Sequence, residues 1–384
     1  MIVVIADDLT GAAEIGGLGL RYDLSIEIIC DNDLKSDADL LIISTDTRSM
    51  PEKEALLATQ LLTAKLAEIK PGLVFKKVDS VLRGHVLGEL AIHLQQLHLK
   101  KALLIPANPA LGRIIKNGRY FINDQLIHLT SFAGDPEFSI TSPDIHDMLK
   151  ADQDTVHIHK NNDELPESGI VVGECLTEEE ITKWVKRADN ETLLAGGAGL
   201  FKSLLESFNL RRRLAQNETP ELTYPALFVC GSTFGKSQAA IAKVIRVGGP
   251  VSYMPSAILI SLQPSETAFD NWANEILTLL NEHGKAIIAI HHSISANDTI
   301  TATSLRNKKA MVVKKVFERI AVKELLIEGG STAAAIIRRL NLGRLIPLNL
   351  LAPGVIKLKA NGRENLFLTL KPGSYNWPAD TWNF

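Results

Sequence analysis

Asp7-Asp8-Leu9-Thr10-Gly11 puts two adjacent carboxylates and a hydroxyl directly after the apolar run Ile2–Ala6. One acid can accept a proton while the other hydrogen-bonds a sugar hydroxyl or helps to place magnesium through water. The same position also suits a bland role, Asp8 or Thr10 capping the next helix. A second cluster, Lys76-Lys77-Val78-Asp79-Ser80-Val81-Leu82-Arg83-Gly84-His85, packs two ammonium groups, a carboxylate, a hydroxyl, a guanidinium and an imidazole into ten residues. At a strand-to-helix turn that mixture suits an anion, with Arg83 able to grip a carboxylate at two points. The third cluster is Thr45-Asp46-Thr47-Arg48-Ser49, immediately after the apolar run Leu40–Ser44. Any one of these could be a salt-bridged surface turn. Together they converge if the runs before them are parallel strands, whose carboxyl ends face a ligand crevice.

Phosphate chemistry is suggested by the second half. Glu328-Gly329-Gly330-Ser331-Thr332 lies between a strand pattern and an Ala-rich helix pattern, where glycines let the backbone approach oxygens and free helix N–H groups donate to them. The turns Pro353-Gly354 and Pro372-Gly373, with Gly231-Ser232-Thr233, could complete the walls of a nucleotide site. Each Pro-Gly alone is an ordinary turn. Gly231-Ser232-Thr233-Phe234-Gly235-Lys236-Ser237 imitates a P-loop, but three residues separate its glycines where that loop needs four. No strand ending in aspartate follows to hold magnesium, so the P-loop reading fails. His291 and His292 lack a nearby acid or cysteine, and no other spacing predicts a metal site.

To place these groups the chain needs alternating strands and helices. Apolar runs at Ser25–Cys30, Leu73–Val78, Ala102–Pro106, Gly169–Gly173 and Leu193–Gly196 join the two already named. Runs that are apolar throughout fit strands covered on both faces. Between them lie helical patterns such as Pro51–Ile69, with Leu57, Leu61 and Ala64 as the expected buried stripe, and a helix opened by the capping box Thr177/Glu180. Strands at Ala226–Cys230, Ala286–His291 and Glu324–Glu328, helices at Ser265–His283, near Ser304–Ile320 and at Ser331–Leu340, and a hairpin-like end at Val355–Leu370 extend the pattern. The expected architecture is α/β: two domains with mainly parallel sheets, facing each other across a cleft, at 1–210 and 225–384 with a linker at 211–224. The polar, proline-containing stretch before Ala226 sets that boundary.

Composition limits the partners. With 46% hydrophobic and 22% charged residues, the 384-residue chain can bury a core in each domain. A formal net charge of -3 gives no positive field for nucleic acid, and Arg211-Arg212-Arg213 is a lone basic run. No apolar run approaches the roughly 20 residues of a membrane span. Cys30, Cys175 and Cys230 are scattered and read as reduced, packed thiols in a cytoplasmic protein. The expected partners are small molecules, with a homodimer left open.

Ala6–Ala12, Lys76–Gly84, Pro106-Ala107-Asn108-Pro109 with Gly112-Arg113, His128–Pro136, and Gly329–Thr332 with Lys371–Gly373 resemble, in order, motifs of the four-carbon acid sugar kinase family. That family was long catalogued as a domain of unknown function and includes threonate, erythronate and oxo-tetronate kinases. The resemblance implies an N-terminal sugar-acid domain, a C-terminal nucleotide domain, and ATP-dependent phosphorylation of the terminal C4 hydroxyl. It implies substrate contacts at Asp7, Asp8, Thr10, Asp79, Ser80, Arg83, Gly84 and His85, and nucleotide contacts at Ser232, Gly329, Gly330, Ser331, Thr332 and Gly373. To these the clusters add Asp46 and Arg48 for the acid and Gly354 for ATP. The loop Lys371-Pro372-Gly373-Ser374-Tyr375-Asn376 departs from the family's Gly-Asn-Phe-Gly type of turn, and the chain is short for the family.

The expected mechanism is in-line transfer from Mg2+-ATP, with Asp8 as base and Arg83 aided by Lys77 or Lys76 holding the substrate carboxylate or transferring oxygens. The rival enzyme is an NAD-dependent sugar-acid dehydrogenase, though no G-x-G-x-x-G follows the first strand. The non-enzymatic rival is a sugar-acid sensor.

Overall fold

Strands form where the apolar runs lie, because a segment without polar alternation must be covered on both sides. The computed structural model describes residues 1–31, 33–135, 137–213, 221–231, 235–291, 301–373 and 375–384. The chain begins β1 (Ile2–Ala6), α1 (Leu9–Gly19), β2 (Ile26–Ile29), β3 (Leu40–Ser44), α2 (Glu52–Ile69), β4 (Leu73–Lys77), α3 (Val86–Gln96) and β5 (Lys101–Ile105). A small antiparallel sheet follows, β6 (Arg113–Lys116), β7 (Arg119–Ile122) and β8 (Gln125–Leu126), then α4 (Ile145–Leu149). Next come β9 (Val156–His159), β10 (Gly169–Gly173), α5 (Glu178–Val185), β11 (Thr192–Gly196) and α6 (Ala198–Ser207).

Two units divide the chain: Met1–Ile26 with Asn32–Arg213, and Glu27–Asp31 with Leu214–Phe384. In the first, β3, β1, β4, β11, β5, β10 and β9 lie side by side in that order and all parallel. From β1 the chain moves to β3 on one flank and then to β4 on the other, so its connections diverge at the end of β1. That is the position where open α/β sheets bind ligands. Ala6 is level with Ser44 and with Lys77, which sends all three polar clusters off the sheet at one height.

The second unit contains β12 (Ala226–Cys230), α7 (Gly235–Arg246), β13 (Val251–Tyr253), α8 (Ser256–Leu259), α9 (Glu266–His283), β14 (Lys285–Ala289), α10 (Ala302–Phe317), β15 (Glu324–Glu328) and α11 (Gly330–Arg339). It closes with β16 (Arg344–Ala352), β17 (Val355–Ala360) and β18 (Phe367–Lys371). Strands β13, β14, β12, β15 and β18 are parallel in that order, and β17 and β16 continue antiparallel.

Two expectations change. The run at Ser25–Cys30 was expected in the first domain, but residues 27–31 group with the second unit. Strand β2 finds its partner there, pairing Ile28 with Leu345 and Ile29 with Arg344, while Arg344 Nη1 lies 3.0 Å from Glu27 Oε2. On α2 the expected stripe is the wrong one: Leu57 and Leu61 are exposed, and Ala55, Thr59, Thr63 and Leu66 are buried. Thr59 and Thr63 donate to carbonyls four residues back, and Thr63 Oγ1 bonds His93 Nδ1 at 2.8 Å, so their hydroxyls enter the interior satisfied. On α5 the Glu180 N–H donates to Thr177 Oγ1 as a capping box requires, while the Glu180 carboxylate accepts from the Leu176 N–H, one residue before the N-cap. No helix among the described residues is long and apolar enough to cross a membrane.

Candidate active site

Asp8 sits in extended backbone at the N-cap of α1, its Oδ1 accepting the Gly11 N–H at 2.9 Å and its Oδ2 the Thr10 hydroxyl at 2.5 Å. The capping role is therefore real, and it fixes the carboxylate. From the turn after β3, where Asp46 takes a left-handed conformation (φ 54°), Arg48 reaches both acids. Its Nε and Nη2 donate to the two oxygens of Asp7 and Nη2 also to Asp8, each at 2.8 Å; Nη1 lies 3.7 Å from Asp79. Arg83 grips Asp79 at two points, 2.8 and 2.9 Å, and Asp135 at 3.0 Å. Gly84 stands beside this network at φ 94°, where a Cβ would come within 3.2 Å of the Arg48 side chain and 3.5 Å of Asp7. A side chain there would strain the backbone and crowd the Arg48–Asp7 pair.

Burial sets the electrostatics, and the neighbours decide the sign. For Asp7 burial is the largest influence and outweighs Arg48, raising its pKa above the usual carboxylate value. Burial pushes Asp8 the same way, but Arg48, Lys77 and the bonds from Thr10 and Gly11 bring it below. Burial opposes Asp79's charge as well, and Arg83 and Arg48 override it, holding the carboxyl well below the usual range. Of the three acids, only Asp7 is shifted upward.

The two lysines separate because neighbouring residues of a strand face opposite sides of the sheet. Lys77 joins the site: its Nζ donates to the Val78 carbonyl at 2.9 Å and lies 3.7 Å from Glu14. Lys76 does not, since it is buried in an ion pair with buried Glu89. Of the two lysines offered as alternatives, Lys77 is the one beside Asp8. Ser80 accepts from Arg113 through its hydroxyl and from Tyr120 through its carbonyl. His85 shares Nε2 with the Met50 carbonyl at 2.8 Å, a bond between two loops. Arg113, Phe132 and Asp135 went unassigned in the sequence, although they lie in motifs that carry the family resemblance. Both Arg83 and Arg113 stack over the Phe132 ring, at 5.8 and 5.7 Å.

In the second unit Gly329, at φ 97°, turns the chain from β15 into α11 with no side-chain cap. Its N–H donates to the Lys371 carbonyl at 2.8 Å, which ties it to the Pro372-Gly373 turn. Gly231 lies against Thr332 so closely that a Cβ would come within 2.4 Å of the threonine hydroxyl. Gly354 packs on Tyr375 in the same way. Thus Gly329, Gly330, Ser331, Thr332 and Gly373 gather at the ends of β15 and β18, while Ser232 lies outside the described residues. Glu328 on β15 is buried, accepting from Ser237 at 2.5 Å and facing Lys371 at 3.2 Å. Burial pushes the Cys175 thiol up to about 12, and Cys230 shares the upward shift, which leaves both unreactive at neutral pH. Among the described residues there is no group of three or more His, Cys, Asp or Glu able to hold a metal.

An acid-and-arginine cluster stands at the strand ends of one α/β unit, and glycine turns stand at the strand ends of the other. A family model described as a sugar-binding N-terminal domain matches residues 2–204, and one described as a nucleotide-binding C-terminal domain matches residues 227–375. The chain belongs to the four-carbon acid sugar kinase family. It is 26% identical over 344 residues to a D-threonate kinase of Salmonella typhimurium, covering 83% of this chain and 78% of that one. Similarity to a 3-oxo-tetronate kinase of Pseudomonas savastanoi pv. phaseolicola is 22% over 409 residues, 97% of this chain and 93% of the other. A Haemophilus influenzae protein of solved structure shares the fold at a TM-score of 0.69 and 20% identity, covering 97% of each chain. These relatives give no support to the dehydrogenase or the sensor.

Proposed function

We propose that this chain is an ATP-dependent kinase that phosphorylates the C4 hydroxyl of threonate, erythronate or an oxo-tetronate. One observation carries the reading: Asp7, Asp8, Asp79, Arg48, Arg83 and Lys77 assemble at the level carboxyl ends of β1, β3 and β4. Asp7, Asp8, Thr10, Asp46, Arg48, Asp79, Ser80, Arg83, Gly84 and His85 form the sugar-acid site. A tetronate offers one carboxylate and several hydroxyls, the complement of arginines interleaved with fixed acids.

Arg83 and Arg113 face the substrate carboxylate, and Asp79 holds a hydroxyl. Asp7 accepts the proton of the attacking C4 hydroxyl, a role moved from Asp8 because burial raises the Asp7 carboxyl above its ordinary value, whereas Asp8 is lowered and both of its oxygens accept bonds at the start of α1. Oxygen then bonds the γ-phosphorus, the bond to the β–γ bridging oxygen breaks, and ADP leaves. Gly329, Gly330, Ser331, Thr332, Gly354 and Gly373, with Ser232, hold the nucleotide. The uncapped start of α11 supplies N–H donors that suit phosphate oxygens. Magnesium accompanying ATP would supply neutralisation of the charge on the phosphates.

Phosphorus and proton NMR of the product tests the regiochemistry. A phosphate coupled to two methylene protons is expected. A phosphate coupled to a single methine proton would place transfer at C2 or C3 and overturn the C4 assignment.

A further inference from the structure

We infer that Asp135 is an internal stand-in for the substrate carboxylate: it holds one side of Arg83 until a sugar acid takes its place there, and so sets the affinity for the acid. This rests on the reading of the cluster as a sugar-acid site and adds how that site admits its anion. The two carboxylates on Arg83 are held very differently. Asp79 takes Nε and Nη2 at 2.8 and 2.9 Å, is buried, and also accepts the backbone N–H groups of Val81 and Arg83 at 3.2 and 3.3 Å. Asp135 reaches Nη1 through Oδ2 alone, at 3.0 Å, while its Oδ1 accepts the N–H groups of Glu137 and Phe138 at 3.0 and 2.9 Å. It follows a single turn of 3-10 helix, Ser131–Gly134, in which Ala133 and Gly134 are exposed and a Cβ on Gly134 would meet nothing within 4 Å. A guanidinium can serve more than one carboxylate. Asp79 fills one edge of Arg83 through a fixed turn, and Asp135 holds the rest by one replaceable bond.

Arg113 marks where the incoming carboxylate goes. Its Nη1 donates to the Ser80 hydroxyl, a neutral acceptor, and among the described residues it has no carboxylate partner. Both guanidiniums lie over the Phe132 ring, at 5.8 and 5.7 Å, so a carboxylate between them can draw donors from each. Two half-buried cations with too few counter-ions attract any small anion. The charge of Asp135 lowers that attraction for ions that lack the hydroxyls the other acids recognise. Exchange of one carboxylate for another adds no net charge at Arg83, whereas a sugar alcohol carries no group able to displace Asp135.

Steady-state kinetics of the full chain, with acetate as a competing carboxylate, tests the inference on wild type, Asp135→Asn and Asp135→Glu. Asparagine keeps the oxygen that caps the Glu137 and Phe138 N–H groups and turns the other position into a donor, which cannot hold Arg83. KM for the acid is expected to fall roughly three- to tenfold with kcat little changed, because more of the protein is open to a carboxylate. The inhibition constant of acetate is expected to fall in parallel, and Asp135→Glu to return both constants toward wild type. If a thermal melt shows Asp135→Asn unfolded, Asp135→Ser, which can also cap the turn, takes its place with the same expected fall in KM. An unchanged or raised KM in the folded variant means that Asp135 only positions Arg83 or touches the substrate itself; it overturns the stand-in and leaves the kinase reading standing. Absence of acid-dependent turnover in wild type overturns both.

Discussion

Arg48 holds Asp7 by two N–H···O bonds of 2.8 Å, and the nitrogen that completes the pair also reaches Asp8. One guanidinium thus binds the turn after β3 to the turn after β1 and fixes two carboxylates at once. No ammonium group can reproduce that geometry, because it presents a point charge and not a planar fork.

Arg48→Lys should therefore keep the fold and lose much of the activity. We expect kcat/KM to fall by roughly 10²-fold or more, as misplacement of a reacting group by about 1 Å does. Steady-state kinetics with a thermal melt checks this; wild-type kcat/KM would show that the two-point grip is dispensable.

Asp7→Asn and Asp8→Asn should separate. Loss of the proton acceptor at Asp7 should lower kcat by about 10²- to 10⁴-fold while ADP binding persists. Asparagine is also a good N-cap, so Asp8→Asn should leave α1 formed and reduce kcat less. The reverse order of effects would return the base role to Asp8.

Lys76 and Glu89 form a buried ion pair, Lys76 standing on the face of β4 opposite Lys77. Lys76→Met leaves the Glu89 carboxylate buried without its cation and should cost about 3 to 5 kcal/mol. The double variant Lys76→Met/Glu89→Leu should recover most of that stability, because a buried pair can be replaced by apolar groups at little cost. Denaturant unfolding of the three variants decides it, and a double variant no better than the single one would contradict the account.

Burial lowers the Lys309 pKa from its ordinary 10.5 to about 8. Between those two values the unfolded chain holds a proton that the folded chain has released, so stability should rise with pH across that window. Below about 8 both states are charged and the cost of burying the ammonium is felt in full. Lys309→Met should remove this contribution to the slope, as urea titrations from pH 7 to 10.5 would reveal; an unchanged slope would assign it to other groups.

Much of this was legible because parallel strands announce themselves as unbroken apolar runs. β1, β3, β10 and β15 match their sequence boundaries, and the polar clusters that end the first two converge as expected. What escaped reading depended on distant partners. Thr59 and Thr63 look like surface residues until His93 and their own helix satisfy them, and β2 has no local signal that β16 will be its neighbour. Lys76 and Lys77 are alike in sequence and are separated by the pleat of β4. The base could not be chosen from position alone, because Asp7 and Asp8 differ in the donors around them and not in type. Arg113 and Asp135 carried a signal only as parts of longer motifs.

The most direct test is ADP release by the purified chain with Mg-ATP across D-threonate, D-erythronate and 3-oxo-tetronate, wild type beside Asp7→Asn. Turnover dependent on one of these acids, and lost in the variant, is the expected result. ATP hydrolysis indifferent to every acid, or full turnover by Asp7→Asn, would contradict the account.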